Sequence, residues 1–163
     1  MFCATNPDFV IYVPYESLNA YKTANNWSDY EPYIKAMFTP NVSGYASSTS
    51  NDKWTFIALP LTNETDPATV LNLLSEDGGY DLYQFDQSAA DEEWRNYKVD
   101  SFNLFNGRGY LYARAVDVNL VIGGDFNEDE TKEVSLDYDA GKPFAGWNLV
   151  GNPFPAGAYI NRS

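Results

Sequence analysis

The chain has 163 residues, enough for one ordinary domain or for a small one with an appendage. Its 23 acidic against 10 basic residues give a net charge of −13, which makes nucleic acid and anionic membrane surfaces poor partners and favours cations, Ca²⁺ first among them. Histidine is absent and Cys3 is the only cysteine, so the Ser/His/Asp and Cys/His nucleophile systems, histidine zinc sites, thiolate zinc clusters and an internal disulfide all fall away.

Phe9 to Val13 is a short apolar run closed by Pro14, which cannot donate to a strand ladder. Leu18 and Tyr21 then stand one helical turn apart, with Trp27 beyond, and predict a short helix that Asn25-Asn26 ends. Glu31 to Phe38 reads as a further helical turn. Thr39 to Lys53 is rich in Ser, Thr, Asn and Gly and reads as a linker, which divides the chain into 1–38, 39–53 and 54–163.

Beyond the linker the period changes to two. Trp54-Leu59, Tyr80-Phe85, Tyr110-Ile122, Thr131-Tyr138 and Gly146-Gly151 all alternate as strands, separated by Gly, Asn and Asp turns. Asp66 to Ser75 is the one helical candidate in this part, with Asp66 as N-cap and Pro67 at the first helical position. The expected fold is mainly β: an antiparallel β-sandwich or jelly roll preceded by a small strand-plus-helix cap.

Two resemblances follow from particular stretches. "VIYVPYESLNAYKTANNWSDYEPYI", Val10 to Ile34, resembles the terminal cap of BspA-type leucine-rich-repeat surface proteins of Bacteroidetes and other anaerobes. "YDLYQFD", "EWRNY", "NGRGYLYA" and "GWNLVGNPFP", in that order, resemble a β-sandwich module of secreted Bacteroidetes proteins, related in style to adhesin domains. The resemblance implies an extracellular or cell-surface location, with the signal sequence outside this chain, and binding of an extracellular protein or glycan rather than catalysis. In that family further strands follow "GNPFP", so Ser163 is expected to lie inside a domain. An open sheet edge at such a point predicts a homodimer.

Candidate sites can be named from residue type. Trp94, in the polar stretch "DEEWRNY", is the best candidate for an exposed stacking platform, with packing on the sheet edge ranked ahead of binding. Tyr110 and Tyr112 are further candidate ring faces for a sugar, with the core as their alternative, and Trp54 and Trp147, inside alternating runs, are expected in the core. Asp125, Asn127 and Asp129 occupy positions one, three and five of a calcium loop, but Glu130 replaces the glycine at position six and Leu136 the carboxylate at position twelve. A solvated hairpin is the default for that stretch, and a non-EF Ca²⁺ site its alternative. No other cofactor is implied. Gly107 and Gly109 fit turns and bulges, since "GRG" lacks the lysine and following helix of a phosphate loop. Asp91, Glu92 and Glu93 beside Trp94 support the rival reading of a carboxylate-based glycan-active enzyme, and a purely structural spacer is the other rival. The leading expectation is a non-catalytic binding module of a bacterial surface protein.

Overall fold

The computed structural model describes residues 9–46 and 54–159. Strand β1 (Ile11–Pro14) and strand β2 (Ile34–Phe38) run parallel, from Ile11 opposite Ile34 to Pro14 opposite Met37. A parallel pair needs a crossover rather than a hairpin. Here the crossover holds a 3₁₀ turn at Tyr15–Ser17, helix α1 (Leu18–Thr23) and a 3₁₀ stretch at Ser28–Tyr33. Tyr21 packs edge-on against Trp27 with ring centroids 5.2 Å apart, so the apolar side of the predicted helix is used. The helical reading of Glu31 to Phe38 holds only to Tyr33. From Ile34 onward the buried residues, Ile34 and Ala36, recur every second position, and that period belongs to a strand.

The far edge of β2 pairs antiparallel with strand β9 (Ile122–Gly124), and strand β3 (Asn41–Val42) pairs with strand β8 (Val118–Asn119). A four-stranded antiparallel sheet is laid out as β4-β7-β5-β6: β4 (Thr55–Ile57), β7 (Tyr110–Arg114), β5 (Tyr80–Phe85) and β6 (Trp94–Asn96). Short helix α2 (Tyr97–Asp100) follows β6 directly, its N-cap Asn96 accepting the Lys98 N–H at 2.9 Å. The protein is mainly β, with a few short helices. Among the described residues the pairing defines three sheets, of three, two and four strands, instead of the two continuous sheets of a jelly roll.

One apolar cluster joins Ala36 and Val42 to Leu59, Leu82, Tyr110, Tyr112 and Ile122, so the expected boundary at 39–53 does not separate two cores. Its start is strand β3, with Val42 buried; residues 47–53 lie outside the described ones. Ser/Thr/Asn-rich composition signals turns, and it is silent on a two-residue strand that pairs with a segment far along the chain.

Two expected strands do not form. Val134 to Tyr138 has no ladder partner among the described residues, and Leu136 and Tyr138 are exposed; Gly146 to Gly151 contributes only an isolated bridge between Arg108 and Val150. The Asp66 cap is present, its carboxylate accepting the Ala68 N–H at 2.9 Å, but the helix stops after a single 3₁₀ turn at Pro67–Thr69. Asn72 adopts a φ of 67°, its side chain donates to Asn119 O at 2.9 Å, and Leu71 bridges Val121. Pairing with the 118–122 segment has taken over from helix propagation, while Val70 and Leu73 remain buried. Among the described residues no helix is long and apolar enough to cross a membrane.

Candidate functional site

Strand register decides which side chains of the four-stranded sheet share a face. Thr55, Tyr112 and Leu82 stand opposite one another, and Ile57 stands opposite Tyr110; these rows point to the core. One step along, Phe56, Leu111, Tyr83 and Asn96 form the next row, followed by the Phe85–Trp94 pair, and these project from the other side. That outer face is aromatic. Trp54 packs edge-on against Tyr83 at 5.6 Å, and Phe85 against Trp94 at 5.0 Å. The strip continues from Phe85 through Phe144 at 6.2 Å to Trp147, 5.2 Å further. Three of these rings stand well open: Phe56 is 70%, Trp147 61% and Trp54 47% exposed. Beside Tyr83 lies a polar group on the same face, in which Asn96 donates to the Asp81 carboxylate at 3.0 Å and the Lys98 ammonium lies 3.4 Å from it.

Trp54 and Trp147 thus leave the core expected of them, and Trp94 takes the packed place at the sheet edge ranked ahead of binding. Trp54 and Trp147 are exposed, whereas Trp94 is half-buried beneath Phe85. Alternation establishes that a strand has two faces, but not which of them meets the core. Tyr110 and Tyr112, expected as ring faces for a sugar, are fully buried and unreachable for stacking. Their hydroxyls are paired inside: Tyr112 donates to Leu73 O at 2.7 Å, and Tyr110 accepts the Phe105 N–H at 2.7 Å. Burial raises the pKa of both phenols, because the interior disfavours the phenolate.

The acidic candidates are dispersed. Asp125 pairs with Lys35 of β2. Asn127 is buried, donates to Pro153 O at 3.2 Å and accepts the Asp129 N–H at 3.3 Å, an arrangement that shapes a turn. Among the described residues no three His, Cys, Asp or Glu side chains are grouped to hold a metal ion. Asp91 is exposed at 4.0 Å from Arg95, Glu92 is exposed, and Glu93 is buried, with its carboxylate accepting the Phe144 N–H at 3.4 Å. Glu93 therefore supports the aromatic strip from beneath.

The residue that sequence reading missed is Gln87. It is buried, its amide nitrogen donates to Phe144 O at 3.0 Å, and its amide oxygen accepts from Gly146 N at 2.6 Å and Asp139 N at 3.2 Å. Lys142 adds bonds to Ala89 O and, at 3.1 Å, to Ala90 O. Together these fix the irregular 139–147 segment that presents Phe144 and Trp147. A glutamine in the turn-like "DQS" gives no periodic signal for such a role. Comparison of the chain with protein-family models, with curated proteins and with solved structures found no match in any of the three.

Proposed function

We propose that this chain is a non-catalytic binding module of an exported bacterial surface protein, and that it holds a glycan on the outer face of its four-stranded sheet. The observation that carries the reading is the open aromatic strip of Trp54, Phe56, Phe144 and Trp147. A contiguous exposed apolar patch on an otherwise acidic surface marks an interaction site. Flat rings suit the C–H faces of pyranoses, and the adjoining Asp81, Asn96 and Lys98 offer acceptors and donors for hydroxyl groups. Glu93 and Gln87, engaged with backbone under the strip, have the role of scaffold in this reading. The parallel β1–β2 pair with its helical crossover supports kinship with the end of a leucine-rich-repeat array, and a surface location with it. Strands β4 and β6 are the outer strands of their sheet, and self-association through one of them is part of the same proposal.

A thermal melt against a panel of host and dietary glycans tests the reading. A ligand at about a hundred times its Kd adds about 2.7 kcal/mol, a readily seen shift. A shift with a polymeric glycan, absent in Trp147→Ala, is expected. No shift with any glycan, together with binding of an extracellular protein through the same face, would replace the glycan with a protein ligand. Adding millimolar Ca²⁺ to the same melt tests the stretch containing Asp125, Asn127 and Asp129.

A further inference from the structure

A hollow of about 580 Å³ opens between the loop that follows α2 and the 133–135 segment. Its volume lies within the range of about 300–1,000 Å³ usual for small-molecule sites. Glu64, Asn103, Phe105, Asn106, Arg108 and Glu133 line it. We propose that this hollow is a second binding site, taking one neutral sugar residue; the inference rests on the glycan-binding reading above and assigns it a separate pocket.

The walls are held by the core. The Phe105 N–H donates to the buried Tyr110 hydroxyl at 2.7 Å, and the Leu104 N–H donates to Thr65 O at 2.8 Å while Leu104 O accepts the Thr65 N–H at 2.9 Å. Ser101, also on the rim, has φ 39° and ψ 102°, a strained backbone for a residue with a Cβ, and strain of this kind concentrates at binding sites. Asn106 donates to Pro153 O at 2.8 Å, and its other amide atom, Oδ1, is a buried acceptor with no partner among the described residues.

The chemistry selects the ligand class. The Arg108 guanidinium lies over the Phe105 ring, 5.8 Å from its centroid, and makes no ion pair among the described residues. It offers a donor fork beside the carboxylates of Glu64 and Glu133; the Asn103 amide nitrogen donates to Glu64 and that of Asn106 to Pro153 O, which leaves Glu133 and the remaining lone pairs of Glu64 as acceptors for a ligand. Adjacent sugar hydroxyls, each both donor and acceptor, match such a mixed lining, and the open face of Phe105 meets the ring carbons. A purely apolar ligand would leave Arg108 and Glu133 desolvated and unpaired. A uronic acid or a phosphate would meet two carboxylates on a chain of net charge −13.

The test titrates the full chain with neutral hexoses, an N-acetylhexosamine and a uronic acid, followed by amide chemical shifts. A neutral sugar is expected to saturate in the millimolar range and to move the amides of residues 101–108. Arg108→Ala removes an exposed side chain with no side-chain hydrogen bond among the described residues and is expected to weaken that binding about tenfold or more, with Arg108→Lys recovering little, since a point charge does not replace the fork. Trp147→Ala is expected to leave it unchanged. Tighter binding of the uronic acid overturns the neutral-sugar assignment. Shifts confined to the aromatic strip overturn the pocket and leave the platform reading standing, whereas silence with every sugar and every polymer overturns both.

Discussion

On the inner face of the four-stranded sheet, Tyr110 and Tyr112 are closed off from solvent and their hydroxyls are paired; on the outer face, one register step away, Phe56 stands open beside Trp54, and Trp147 closes the strip. The side chains are of one kind, and only parity separates them. Inside, an aromatic residue contributes by filling space and satisfying its own polar atom. Outside, the same burial is withheld, and the apolar surface remains available to a ligand. The two faces should therefore respond in opposite ways to substitution.

The largest effect is expected inside. Tyr112→Ala leaves a cavity and orphans Leu73 O, and should lower stability by about 3–5 kcal/mol, measured by denaturant unfolding. Next comes the support between the faces. Gln87→Ala leaves the N–H groups of Gly146 and Asp139 and the carbonyl of Phe144 without their partner, and should cost about 1–3 kcal/mol while freeing Trp147, seen as a red-shifted emission. Alkaline pH bears on the inner face. Both buried phenols have raised pKa values, so their contribution is fully present below the ordinary tyrosine value of about 10 and is lost as pH rises through the higher folded values. Melting temperature should hold up to about pH 9 and fall beyond about pH 10, and Tyr112→Phe should flatten that fall. Outside, Phe56→Ala and Trp54→Ala should change stability by no more than about 0.5 kcal/mol while weakening glycan binding.

Some of this was legible in the sequence. The alternation in Tyr80-Phe85 and Tyr110-Arg114 marks β5 and β7, and the Asp66-Pro67 cap is where composition puts it. Gly107 adopts a φ of 85°, the backbone that its place in "NGRG" suggests. What stayed hidden depends on partners distant in the chain. Ile34 to Phe38 is a strand because β1 and β9 flank it, and nothing in those five residues announces either neighbour. Val134, Leu136 and Tyr138 alternate as well as any strand, but an alternating pattern without a ladder partner forms no strand. For the site, aromatic content showed that stacking rings exist; the register of β4, β5 and β7, with the Gln87 bonds that hold residues 139–147, decides which of them face outward.

The outer face as a glycan platform is tested most directly by tryptophan fluorescence. The chain and its Trp54→Ala/Trp147→Ala double variant would be titrated with a glycan that shifts the melt, with circular dichroism confirming an unchanged fold. A saturable change in the native chain, lost or weakened at least about tenfold in an equally stable double variant, is the predicted result. Equal affinity in the two proteins would contradict it and move the binding surface elsewhere.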